Sequence, residues 1–156
     1  MLQTDDVAML VAQARALLDG ERDPIANAAN LAALVALMVA DLNWVGVYFQ
    51  RGDELVLGPF HGKPATTRIA LGAGVCGTAA AERRTVVVPD VHAFPGHIAC
   101  DPASRSEIVV PLRDGDAIVG VLDVDSPLAD RFGEGERALF EQLAALLVAG
   151  SDFRRA

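Results

Sequence analysis

Cysteine is scarce in this chain, with two among 156 residues, Cys76 and Cys100. A secreted domain stapled by disulfides carries more, and a chain of this length can bury a core without staples. Basic residues are also few, 13 against 21 acidic ones, for a net charge of −8. So acidic a surface is poorly suited to tracking phosphates by counterion release, which argues against nucleic acid as a partner. Long apolar runs are missing too. The stretch from Leu31 to Val39 falls well short of the roughly 18 residues that span a bilayer. The N-terminus, MLQTDDVAML, has two acids and no basic region, so it does not read as an export signal. The expectation is a cytoplasmic protein without a membrane partner, its thiols held reduced. Composition is otherwise ordinary, 52% hydrophobic and 22% charged, which excludes disorder, and the length fits one domain, 1–156.

What is present reads as an α+β chain. Val7, Leu10, Val11, Ala14, Leu17 and Leu18 follow the helical period, with Thr4 placed to cap the start and Gly20 the end. Pro24 suits the first turn of a second, Ala-rich helix running on to Leu42. From Asn43 the texture changes. WVGVYFQ and ELVLGPF flank the turn Arg51-Gly52-Asp53 as an antiparallel hairpin, and RIAL and TVVVP are short strands. EIVVPLR and AIVGVLDVD flank Asp114-Gly115-Asp116, a second hairpin. A last helix begins near Gly133 and buries Leu139, Leu143, Leu146 and Leu147. A mostly antiparallel sheet with helices is the expected architecture. The loop from Asp90 to Ser106 is longer than a passive connection and holds His92, His97 and Cys100, which favours a functional segment.

Several motifs invite chemistry. GAGVCG fits a dinucleotide-binding fingerprint, but barely two turns of helix follow it and hairpins stand on both sides, against a doubly wound sheet. Cys76 lies at that helix start, where free N–H groups lower a thiol pKa. A zinc site from His92, His97, Cys76 and Cys100 lacks paired ligand spacing, since the cysteines are 24 residues apart (100 − 76), so no metal is expected. Cys100 sits in a polar loop, as a reactive thiol would, though neighbouring Asp101 would raise its pKa unless screened by Arg105 or a dipole. Asp123 and Asp125 share one strand face with Val119 and Val121, and Glu107 opens the partner strand. Three acids beside a thiol could bind an ammonium group and hold a proton donor. Trp44 and Tyr48, four apart on one strand, suit either core packing or an aromatic wall for a small ligand.

Three segments, GPFHGKPATTRIALGAGVCGTAAAERR, DVHAFPGHIACDPASRSEIVVPL and IVGVLDVDS, together resemble the free methionine-(R)-sulfoxide reductases, which are single GAF domains. The resemblance runs from Asn43 to about Phe132, and the flanking helices fit the family's length. It implies a GAF fold: a central antiparallel sheet, helices on one face and a ligand pocket covered by loops. It further implies a homodimer that reduces free methionine-R-sulfoxide with no bound cofactor, taking electrons from thioredoxin and, through thioredoxin reductase, from NADPH. Cys100 matches the family's attacking cysteine in HIACD, and Cys76 the cysteine of GVCGTA. Glu107, Asp123 and Asp125 match its substrate-binding acids, and Trp44 and Tyr48 its aromatic wall. One departure stands out: where the pattern often has a third cysteine, this chain has Thr66. Either Cys76 then resolves an oxidised Cys100, as a Cys76–Cys100 disulfide, or an external thiol does. Two rival readings are a non-catalytic GAF sensor of a small ligand or redox state, and a metal-binding domain.

Overall fold

The computed structural model describes residues 3–97 and 101–156. Two helices come first, α1 (Thr4–Leu18) and α2 (Pro24–Met38). Gln3, not Thr4, is the N-cap of α1, and Thr4 is already helical; Gly20 does supply the positive φ, +81°, just beyond the end. Leu17 faces out, while Leu10, Ala14 and Leu18 are buried. In α2, Pro24 opens the first turn behind Asp23, whose carboxylate accepts the N–H groups of Ile25 and Ala26. The helix ends at Met38, four residues earlier than its apolar pattern suggests.

The sheet has six strands in the order β3-β2-β1-β6-β5-β4, every neighbouring pair antiparallel. They are β1 (Trp44–Arg51), β2 (Glu54–His61), β3 (Arg68–Ala70), β4 (Val86–Val88), β5 (Ser106–Asp114) and β6 (Ala117–Ser126). Between β3 and β4 lies α3 (Gly74–Glu82), and α4 (Glu134–Gly150) is the last α-helix, followed by a short 3-10 turn at Phe153–Arg155. Both expected hairpins form, β1–β2 and β5–β6.

Strand alternation sorts the side chains onto two faces. Val45, Val47 and Phe49 of β1, Ile108, Val110 and Leu112 of β5, and Leu122 and Val124 of β6 pack against α1, α2 and α4. In α4, Leu139, Leu143 and Leu147 join that core, with Leu146 at its edge. Trp44, Tyr48, Val109 and Val121 point the other way, toward α3. Val119 leaves the row expected for it. A register shift opposite Gly120, between Leu112 and Arg113, turns Val119 to the helix side and puts Ile118 against the α3 core instead.

Candidate functional site

The carboxylates of Glu107, Asp123 and Asp125 meet because two strands do. Glu107 of β5 stands opposite Asp125 of β6 in the ladder, and Asp123 lies two residues back on the same face. All three are buried. The strands thus carry an apolar row, Val109 and Val121, straight into an acidic floor. This is the arrangement the alternation of LDVDS suggests.

Above that floor comes the start of α3. Gly72 and Gly74 take positive φ values of +88° and +59° to turn the chain into the helix. Gly77 has no room for a side chain, since a Cβ there would strike the Ala70 carbonyl oxygen. The glycines of GAGVCG therefore serve a turn and a close helix–strand approach, in a sheet that is antiparallel throughout. Packed this close, the first turn of α3 brings Gly74, Val75 and Cys76 to the edge of the acidic floor. Its leading N–H groups have no helical carbonyl to meet, and Ala73 offers no side-chain cap.

A narrow cavity results, partly open at its mouth. Its walls include Tyr48, Cys76, His97, Ser104 and the three acids. Tyr48 presents its ring, while its hydroxyl donates to the Thr66 carbonyl at 2.8 Å. Trp44 is not itself in the wall. It lies behind Tyr48, stacked at 6.1 Å on that ring and at 5.3 Å on Phe60, with its indole N–H donating to the Lys63 carbonyl. No arginine lines the cavity among the described residues.

Cys76 departs from the expectation for a helix-start thiol. Burial pushes its pKa well up, and the nearby carboxylates of Asp123, Glu107 and Asp125 push it further. Desolvation and surrounding negative charge outweigh the helix terminus here. The thiol donates a hydrogen bond to Asp123. Burial also raises Glu107 and Asp123 well above the ordinary carboxylate range, with Asp125 adding to the first and Glu107 to the second. Glu107 hydrogen-bonds to both aspartates. A hydrogen bond between two carboxyl groups needs a proton on one of them. The floor therefore holds protons, linked in a row from the Cys76 thiol through Asp123 and Glu107 to Asp125. One oxygen of Asp123, Oδ1, is buried without a hydrogen-bond partner among the described residues.

His97, read from the sequence as a loop residue and a disfavoured zinc ligand but not as a partner of the acids, has Nε2 3.5 Å from Glu107 Oε1. Burial lowers its pKa, so it faces the acid as a neutral imidazole. Its position three residues before Cys100 was the available signal. His92 is exposed and lies apart, so the four-ligand zinc arrangement does not assemble from it. Cys76, Glu107 and Asp123 do offer ligand atoms within 4.8 Å of one another, a set that could hold a cation. Cys100 lies outside the described residues, and with it the Cys76–Cys100 pairing. Asp101, its neighbour, is buried and fully engaged by Ala103, Asn43 and Lys63, not by Arg105.

Comparison with known proteins returns the same outline. The GAF domain family matches residues 6–149. The free methionine-R-sulfoxide reductase of Escherichia coli is 45% identical over 158 residues, covering 99% of this chain and 96% of that one. The crystal structure of a free methionine-R-sulfoxide reductase from Neisseria meningitidis, solved with its substrate, superposes with a TM-score of 0.91 at 41% identity, covering 99% of this chain and 93% of that one. The corresponding Staphylococcus aureus protein, also in complex with substrate, gives 0.89 at 46% identity, covering 92% and 94%. No described helix is long and apolar enough to cross a membrane.

Proposed function

Because the chain belongs to the GAF-domain family of free methionine-R-sulfoxide reductases, we propose that it reduces free L-methionine-R-sulfoxide at this cavity. The observation that supports the reading best is the cluster of buried carboxyl groups beside a thiol. Sulfoxide reduction needs a nucleophilic sulfur and a proton for the departing oxygen, and carboxyl groups raised by burial supply the second.

In this reading the Cys100 thiolate attacks the substrate sulfur. The S–O bond breaks, the oxygen passes to Cys100, and one proton from Asp123 or Glu107 completes a sulfenic acid as methionine leaves. Electrons balance: the sulfoxide sulfur gains two and the Cys100 sulfur loses two. Asp123, now a carboxylate beside the Cys76 thiol, takes that proton. The Cys76 thiolate displaces hydroxide from Cys100, the proton on Asp123 completes water, and a Cys76–Cys100 disulfide forms. Thioredoxin reopens the disulfide by thiol exchange. Thr66, in place of a third cysteine, leaves Cys76 as the internal resolver.

The same groups explain a preference for a free amino acid. Glu107 and Asp125 suit its ammonium, the first turn of α3 suits its carboxylate, and the Tyr48 ring, held from behind by Trp44, packs on its side chain. The reading takes the chain as one GAF domain that works as a cytoplasmic homodimer.

The test is NADPH consumption by purified protein with thioredoxin, thioredoxin reductase and separate methionine sulfoxide epimers. Turnover on the free R epimer alone is expected, lost in Cys100→Ser. Cys76→Ser should keep turnover with dithiothreitol and lose it with thioredoxin. No R-selective turnover would instead leave a ligand-binding GAF sensor, and full activity in Cys100→Ser would overturn Cys100 as the attacking thiol.

A further inference from the structure

At the cavity mouth, three segments that are remote in sequence are tied to a single carboxylate. Asp101 is 6% exposed although it sits in a loop. Its Oδ1 accepts the Ala103 N–H at 2.9 Å and faces Lys63 Nζ at 3.6 Å. Its Oδ2 accepts from Asn43 Nδ2 at 3.0 Å. That same amide donates to Ser104 Oγ at 2.8 Å, and Ser104 lines the cavity. Asn43 is itself anchored, since its backbone N–H donates to the Asp125 carbonyl at 3.0 Å, beside the acid floor. Lys63 belongs to the turn whose carbonyl holds Trp44.

The bond to Ala103 is what an Asx turn requires, and it would serve the loop alone. The bond to Asn43 does something else. It locks the loop to the residue just before β1, 58 positions away. Hydrogen bonding to Ala103 and Asn43 also holds the Asp101 pKa below its usual value, so the carboxylate is charged at neutral pH with both oxygens occupied. Asp101 directly follows Cys100, whose Cα can lie no more than about 3.8 Å from its own.

We propose that Asn43 and Asp101 are positioning residues, a buried clamp that fixes the chain at Cys100 relative to the Glu107–Asp123–Asp125 floor. The inference rests on the reading of Cys100 as the attacking thiol. Lys63, with its side chain 67% exposed, is the minor arm.

The test exchanges donor and acceptor and uses dithiothreitol as reductant, so that no resolving thiol is needed. Asp101→Ala removes the acceptor outright, because in Asp101→Asn alone the Asn43 amide would flip its Oδ1, unpartnered among the described residues, to accept instead. Asn43→Asp sets two carboxylates together, and Asp101→Asn is combined with it as the double exchange. Each should lower kcat by about tenfold or more, the weight of one buried charge-assisted hydrogen bond, with KM little changed. The double exchange restores the bond in reverse, with the Ser104 hydroxyl turning to donate, and should recover kcat to within about threefold of wild type, a loss well below that of a missing bond. Lys63→Gln should cost about twofold at most. If Asn43→Asp does not fold, Asn43→Ser removes the same donor and is expected to show the same kcat loss. Single variants with wild-type kcat, or a double exchange no better than Asn43→Asp alone, would overturn the clamp. A wild type without turnover overturns the reading on which it rests.

Discussion

On the side of α1, α2 and α4, the sheet buries Val45, Val47, Phe49, Ile108 and Leu122 against Leu31, Leu139, Phe140 and Leu143. Polar groups buried there are answered. Asn27 Nδ2 donates to the Glu21 and Gly150 carbonyls and to Ser151 Oγ. Glu136 accepts from Arg131 and from the Gly133 N–H. On the α3 side, the same two central strands carry three carboxyl groups and a thiol into a space where they repel one another and one oxygen goes unmatched. Identical backbone pairing thus supports two opposite energetic situations. The helix side lowers the free energy of the fold, whereas the acid cluster within the α3 side raises it to keep protons poised, the usual relation between stability and an active site.

The largest effect should come from breaking the helix side. Phe140 is fully buried and meets Phe132 edge-on at 6.1 Å. Phe140→Ala should cost about 3–5 kcal/mol, through lost burial plus the cavity left behind. Urea unfolding should show a lower midpoint, while the folded fraction keeps its KM, because no cavity residue has moved.

The α3 side should respond with the opposite sign. Asp123→Asn replaces a buried acid whose folded pKa is raised above its ordinary value of 3.8. The native protein therefore binds more protons than the unfolded chain once pH exceeds that value. Stability contributed by the group is complete below 3.8 and is lost as pH climbs toward the folded pKa. Glu107 adds the same trend above its ordinary 4.5. An amide does not titrate, so the variant should gain about 1–2 kcal/mol over wild type at pH 8 and almost nothing near pH 4. Urea midpoints across that range would check it, and a variant less stable than wild type at every pH would contradict the comparison. Turnover should fall sharply in the same protein.

This division was only partly legible in the sequence. Strand alternation placed Asp123 and Asp125 on one face, and the Asp114-Gly115-Asp116 turn placed Glu107 across from them, because both follow from local geometry. Alternation failed at Val119, the extra residue of an irregularity in β6 that Gly120 beside it could have signalled. Local reasoning also misjudged the Cys76 thiol. A helix start is visible in the sequence, whereas burial beneath β5 and β6 is set by chain segments 31 and 47 residues away (107 − 76 and 123 − 76). Asn43 and Asp101 were unreadable for the same reason, since no spacing rule links the residue before a strand to a distant loop. His97 could have been found, lying so near Cys100, but nothing local separates a cavity histidine from an exposed one such as His92.

The finest test of the contrast is a polar deletion on the helix side. Ser151→Ala removes one of three acceptors around Asn27 Nδ2 and leaves the Glu21 and Gly150 carbonyls in place. No buried donor is stranded, so the cost should be about 0.5–1 kcal/mol, near the bottom of the range for one hydrogen bond. Neither partner titrates, so the loss should be equal at pH 4 and pH 8, read again from urea midpoints. Losing a polar group would then destabilise the helix side a little and at all pH values, while neutralising one stabilises the α3 side only as pH rises. A pH-dependent loss in Ser151→Ala would mean that the two faces share their electrostatics through the sheet.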